Sequence, residues 1–209
     1  SIRQIANAHT FFNIANTIIQ LPFAGILVNL VIRIIPGKEE VDGAKLMFLD
    51  KRILETPSVA VVQIVNEIVR MGSIARENVK LSIDAIIENN EDLIQGIFEK
   101  EKILNELERK ITEYLLEVSN SPLSGEQSNR VLSLFNTVHD VERIGDHAEN
   151  LAELAQFKID RGIRFSDTAK AELEEIYHAV DNSLGRSFMA LQTNDSRYVR
   201  ETNMYEKKV

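Results

Sequence analysis

The first 35 residues are mostly apolar and almost uncharged, whereas the rest of the chain mixes apolar and charged positions at helical spacing. No Asp, Glu, Lys or Arg occurs from Gln4 to Ile32. A helix needs about 20 mostly apolar residues to cross a membrane. We therefore predict one transmembrane-type helix within residues 1–36, ended by Pro36 and Gly37. The run is too long to be the apolar part of a signal peptide.

Residues 56–209 predict an all-α domain, joined to the first helix by a connector over residues 37–55. Apolar residues recur every three or four positions, which indicates one buried face on each helix. A short apolar segment, 46–54, is expected to lie against the membrane surface or against the bundle. The predicted helix boundaries lie at Thr56-Pro57, Asn89-Asn90, Ser119 to Pro122, the capping pair Ser124 and Gln127, about Ile159, Ser166 or Asp167, and Asn194-Asp195.

A weak internal repeat relates the two parts of this domain. A shift of 105 residues pairs Glu67 with Glu172, Asn89 with Asn194 and, further along, Glu101 with Glu206. Two copies of a three-helix unit would need a sixth helix. The second repeat is therefore expected to be incomplete in this chain, which begins without Met and is expected to be a piece of a longer protein.

Composition excludes several classes of function. The net charge of −8 argues against nucleic acid as a partner. The absence of Cys excludes disulfides and thiolate metal sites. No phosphate-binding loop or nucleophile elbow occurs, so we expect no enzyme. Basic residues near the end of the apolar run predict that this end faces the cytoplasm: Arg33, Lys38, Lys45, Lys51 and Arg52.

A stripe of polar residues runs along one face of the predicted membrane helix. His9, Asn13, Asn16 and Gln20 follow helical spacing, and Thr10 and Thr17 flank them. Polar groups inside a membrane span are costly unless they face other helices or a wet cavity, and they often line transport routes. Hydrogen bonding between packed helices is the alternative interpretation.

Two further sets of residues indicate a metal site in the helical domain. The third helix carries His139, Glu142, Asp146, Glu149 and Glu153 on one face, which points away from its apolar face. Oxygen ligands of this kind suit hard divalent ions or iron, with His139 as a nitrogen ligand. The second helix places Glu101, Asn105 and Glu108 on one face. A solvated acidic surface is the alternative for both sets.

The chain resembles two protein families in succession. Residues 4–13 and Leu21-Pro22-Phe23 resemble a late membrane segment of the sodium/phosphate cotransporter family. The helical part resembles the PhoU domain. That second resemblance rests on residues 48–50, 54–57 and 67–71, and most specifically on residues 141–153.

The resemblance implies a bundle of three-helix repeats whose Glu-x-x-x-Asp motifs bind iron, zinc or other metal clusters. Glu142 and Asp146 match the motif. Glu101 matches its first position, but Asn105 stands where Asp is usual, and the residue that would partner Glu206 is missing. The resemblance also places the His9 stripe beside a phosphate route. The motifs that bind sodium and phosphate in the transporter family are absent from this chain.

Together these features predict the C-terminal part of a bacterial sodium-dependent phosphate symporter in the cell membrane. Its PhoU-like domain would be a cytoplasmic regulatory module. Expected partners are phosphate, sodium and the membrane, and homodimer formation through the helical domain stays open. The alternative is a membrane-anchored regulatory adaptor of phosphate homeostasis without transport activity. A di-metal oxidase bundle is disfavoured, because its Glu-x-x-His pairs across facing helices do not occur.

Overall fold

The structure is a computed structural model that describes residues 9–13, 16–17, 41 and 43–206. By its contacts the chain divides into two units, Ser1–Glu40 and Val41–Val209. In the first unit, residues 9–13 and 16–17 are helical. The remainder of the predicted membrane span, including Gln20, lies outside the described residues.

The second unit is all-helical over the described residues, which confirms the predicted fold class. A short 3₁₀ helix, Lys51–Glu55, precedes five α-helices. These are α1 (Pro57–Glu88), α2 (Asp92–Ser119), α3 (Gly125–Asp160), α4 (Asp167–Thr193) and α5 (Ser196–Glu206).

Local sequence signals account for these boundaries. Pro57 is the first residue of α1, where its missing N–H costs nothing. Ser124 and Gln127 form the predicted capping box at the start of α3. Asn89 and Asn194, which the repeat pairs, both end their helices in the left-handed conformation, with φ of 55° and 54°. The predicted boundaries are confirmed to within a residue.

The core of the unit lies between α1, α2 and α3, which pack against one another. The predicted apolar faces form it, and its fully buried side chains include Ile68, Met71, Leu104 and Leu134. Helix α1 is also the one described helix long and apolar enough to cross a membrane by length and composition. Because its apolar face is packed against α2 and α3, α1 is the central core helix of this unit.

The described part of the predicted connector packs against the bundle. Leu46, Leu49, Ile53 and Leu54 contact the core formed by α1, α2 and α3. The segment was expected to lie against the membrane surface or against the bundle, and the structure shows that it contacts the bundle. Its packing makes residues 41–55 part of the helical unit.

The second half consists of α4 and α5, which pack against each other, while α4 also packs against α1. Arg76 on α1 forms an ion pair with Asp181 on α4, with Nη2 and Oδ1 2.7 Å apart. These two residues are separated by the 105 positions of the repeat, so equivalent points of the two halves meet. Nearby, the Phe188 ring occupies the space that a side chain at Gly72 would need.

Candidate metal centre

Three carboxylates from two helices converge at the α2–α3 interface. Glu101 lies on α2, and Asp146 and Glu149 lie on the facing side of α3. One oxygen from each carboxylate lies within 4.8 Å of the others. Glu101 is only 7% exposed, so the group is not a freely solvated surface cluster.

Gly145 allows the two helices to approach closely at this point. A Cβ at position 145 would lie 2.6 Å from Leu104 Cδ1 in the core. Leu104 follows Glu101 by three residues on α2, and Gly145 immediately precedes Asp146 on α3. The missing side chain of Gly145 therefore brings the carboxylates on the two helices within reach of one another.

Burial and mutual repulsion both act on Glu101. Desolvation raises the pKa of its carboxyl group, and the charges of Glu149 and Asp146 raise it further. The Asn105 amide donates a hydrogen bond to Glu101 Oε1, which partly offsets these effects. A cation bound between the three carboxylates would remove the repulsion that raises this pKa.

Glu142 forms a second part of the cluster, one helical turn before Asp146. Among the described residues, its Oε2 atom is buried and has no hydrogen-bond partner. His139 Nδ1 lies 3.6 Å from that oxygen. Desolvation raises the pKa of Glu142, and the charge of Asp146 adds to the shift. A buried carboxylate oxygen without a donor is costly unless a cation or a proton satisfies it.

The residues present fit a bound cation. They offer several carboxylate oxygens, which are the ligands preferred by hard divalent ions and iron, and one imidazole beside them. Glu101, Asp146 and Glu149 would hold the ion directly. Glu142 and His139 would extend the site. The positive charge of the bound ion would neutralise the partly buried carboxylates.

Other predicted ligands lie apart from this group or play another part. Glu153 is exposed on α3. Asn105 is exposed, and its amide nitrogen contacts Glu101, so in this arrangement it orients a ligand. Glu206, the repeat partner of Glu101, is exposed at the end of α5 and lines a cavity of about 270 Å³ with Val180, Ser183 and Leu184.

The acidic stripe was expected to point away from the apolar face of α3, and in the structure its members Glu142, Asp146 and Glu149 are only partly exposed. Helical spacing correctly placed Glu142, Asp146 and Glu149 on one face of α3. Spacing within one helix cannot show that α2 covers part of that face and buries Glu101 beside it. The glycine at position 145 was the available signal for this close approach.

The polar stripe in the first unit is partly described. Asn13 Nδ2 lies 3.1 Å from His9 Nδ1, and the Thr17 hydroxyl donates to the Asn13 carbonyl oxygen at 2.9 Å. His9, Thr10, Asn13 and Asn16 are exposed in this unit, and Thr10 and Asn16 also make polar interactions. The helical spacing of His9 and Asn13 brings their side chains together, and a role in transport stays a prediction.

Comparison with known proteins identifies the class of domain to which the bundle is related. Residues 68–155 match the PhoU domain. This segment includes most of α1, all of α2 and the part of α3 that carries the metal-site residues. No solved structure matches the chain.

Individual relatives are also associated with phosphate. The chain is 25% identical over 185 residues to a Salmonella typhimurium protein named "Putative inorganic phosphate export protein YjbB", covering 84% of this chain and 33% of the relative. It is 32% identical over 97 residues to a phosphate-specific transport system accessory protein PhoU homolog of Synechocystis sp., covering 46% and 43% of the two chains. A phosphate-specific transport system accessory protein PhoU homolog of Pseudomonas putida is 24% identical over 145 residues, which cover 69% of this chain and 56% of the relative.

These matches support a relationship to the phosphate-related PhoU family. The chain spans about a third of the length of the Salmonella relative. The match to that relative covers 84% of this chain, which is more than the share occupied by the helical unit, Val41–Val209. The match therefore extends into the first unit.

Proposed function

We propose that this chain is part of a bacterial phosphate transporter that couples phosphate movement to sodium. The first unit would supply one membrane helix, and the helical unit would be a cytoplasmic module that regulates transport. The observation that carries the proposal is the match to the Salmonella phosphate export relative, because it runs from the bundle into the first unit. The sodium coupling is supported by the resemblance of residues 4–13 to cotransporter segments.

The His9 stripe gives the membrane helix a role in this proposal. Polar side chains within a span are favourable where they face a wet cavity. His9 and Asn13 are already in contact with each other. They would line one side of the phosphate route, whose sodium and phosphate ligands come from other segments of the transporter.

The acidic cluster gives the helical unit its regulatory chemistry. Metal binding at Glu101, Asp146 and Glu149 would join α2 to α3, because the ligands come from both helices. The bound ion would stabilise the bundle by mass action whenever the free metal concentration exceeds its dissociation constant. The stability and partner-binding surface of the module would then follow metal supply.

A regulatory adaptor without transport activity is the second candidate. It is favoured by the relatives named as accessory proteins of phosphate-specific transport systems. In that case the apolar segment would serve as an anchor. The helical surface would then act on a separate transporter.

Phosphate flux measured with the complete gene product separates the two candidates. Purified protein is reconstituted into liposomes, and the movement of radiolabelled phosphate is followed under an imposed sodium gradient and under an equal potassium gradient. The transporter proposal predicts flux that requires protein and increases with the sodium gradient, in either direction. Flux that ignores sodium would contradict the coupling, and no flux above empty liposomes would favour the adaptor.

A matched pair of variants tests the part played by the metal site in the same assay. Glu101→Gln removes a buried carboxylate of the cluster, whereas Glu206→Gln removes its exposed repeat partner. We expect chelation of metal to change flux in the wild type and in Glu206→Gln, but not in Glu101→Gln. An equal response of all three proteins would exclude this site as the sensor.

A further inference from the structure

Residues 44–50 form a strap, without regular secondary structure, whose backbone is held by side chains of α1 and α2. The N–H groups of Met47 and Phe48 both donate to Glu67 Oε2, each at 2.8 Å. Glu67 is fully buried, and its other oxygen accepts from Arg70 Nε at 2.6 Å. Both consecutive N–H groups therefore converge on one carboxylate oxygen, and the chain bends at this point.

Arg70 and two further side chains bind carbonyl groups of the strap. Arg70 donates to the Lys45 carbonyl oxygen, Lys110 donates to that of Ala44, and Tyr114 donates to that of Asp50, each at 3.0 Å. The strap is thus anchored along its whole length. Its bend is held in one conformation by the fold.

The two residues at the bend are nevertheless apolar and exposed. Met47 is 72% exposed and Phe48 is 41% exposed, although Leu46 and Leu49 on either side pack into the core. A flexible loop could turn such side chains inward, but the bonds to Glu67 and Arg70 hold this backbone in place. The fold therefore presents a rigid apolar tip, defined here as Met47 and Phe48.

We propose that this tip inserts into the interface of the lipid bilayer. The inference rests on the proposed function, in which the apolar run ending at Ile35 crosses the membrane. Only eleven residues lie between Ile35 and Met47, so even a fully extended chain keeps the tip within about 43 Å of the end of the run. This tether keeps the tip at high effective concentration near the surface, and a weak contact is then sufficient.

The residues around the tip suit an interfacial position. Residues 45–52 contain three basic side chains and one acidic side chain, in a chain whose net charge is −8. The acidic one, Asp50, is paired with Arg52. Long basic side chains beside an inserted apolar pair can keep their charges at the headgroup level. Apolar contact supplies most of the attraction, so zwitterionic lipid is sufficient.

The absence of Trp from the chain permits a direct test. A single Phe48→Trp reporter is placed in the full chain, which is reconstituted into phosphatidylcholine vesicles with and without brominated acyl chains. Phe157→Trp is the control, because Phe157 is also about half exposed. Phe157 lies far from the strap. Its neighbour Lys158 contacts the C-terminal end of α1, about 30 Å along that helix from Glu67, which binds the strap. Phe23→Trp reports on the predicted span.

The expected result is that brominated lipid quenches Phe48→Trp and Phe23→Trp but not Phe157→Trp. The Phe48→Trp emission should fall by about half, since an interfacial ring contacts the upper acyl chains. Quenching of Phe23→Trp alone would overturn the inference and leave the membrane span intact. Emission from Phe48→Trp that is shifted to the blue without quenching would show that protein covers the tip, which also overturns it. No quenching of either would contradict the span itself.

Discussion

In the first half of the bundle α1, α2 and α3 all pack against one another, whereas in the second half α4 packs against α5 and α1, and among the described residues α5 packs mainly against α4. Met71 in the first half is fully buried. Its repeat partner Ile176 in the second half is 47% exposed. The two halves have the same spacing of apolar residues, but among the described residues the first half buries them more completely.

The same difference determines which acidic residues can form a site. Glu101 and Glu206 occupy equivalent positions of the repeat, yet Glu101 is buried beside Asp146 and Glu149, and Glu206 is exposed. The ligands that distinguish them come from α3. A third helix therefore completes the core and also supplies two of the three carboxylates.

Removing a matched apolar side chain from each half should give the largest contrast. Met71→Ala leaves a cavity in a fully buried core and should lower the free energy of unfolding by about 2–5 kcal/mol. Ile176→Ala should cost less than about 1 kcal/mol, because the side chain is half exposed. Urea unfolding followed by circular dichroism measures both. Equal losses would show that the second half is packed as tightly as the first.

The repeat pair Glu67 and Glu172 provides a polar version of this contrast. Glu67→Gln weakens the acceptor of two strap N–H groups and leaves Arg70 without its charged partner, which should cost about 3 kcal/mol. Glu172 is exposed, and Glu172→Gln should change stability by less than about 0.5 kcal/mol. Hydrogen exchange at residues 44–50 should accelerate only in Glu67→Gln. Unchanged exchange there would contradict the anchoring of the strap.

The smallest expected effect is a difference between the wild type and a variant in how stability depends on pH when no metal is bound. Burial and the neighbouring carboxylates raise the pKa of Glu101 above 4.5, so the folded state binds its proton more tightly than the unfolded state. Stability should fall as pH rises from 4.5 through this raised pKa. In the presence of a chelator, Glu101→Gln should lose less stability than the wild type over that range, whereas Glu206→Gln should follow the wild type. If stability changed with pH in the same way in all three proteins, the raised pKa of Glu101 would be refuted.

Much of this architecture could be predicted from local patterns. Thr56-Pro57, the capping box at Ser124 and the Asn residues at 89 and 194 located the helix ends, because caps depend on neighbouring residues. Helical spacing also placed Glu142 and Asp146 on one face. The burial of Glu101, the contact of Gly145 with Leu104 and the binding of the strap by Glu67 could not be predicted, since each joins residues on different elements.

Binding of Mn²⁺, followed by electron paramagnetic resonance of the free ion, tests most directly the proposal that Glu101 in the first half is a metal ligand and that its repeat partner Glu206 is not. The titration compares the wild-type chain with Glu101→Gln and Glu206→Gln. We expect tight binding by the wild type and by Glu206→Gln. Glu101→Gln should bind more than about 100-fold more weakly, because a direct ligand should matter more than an outer-shell contact. Equal Mn²⁺ affinity in all three proteins, or a loss of affinity only in Glu206→Gln, would contradict the assignment of Glu101 as a metal ligand.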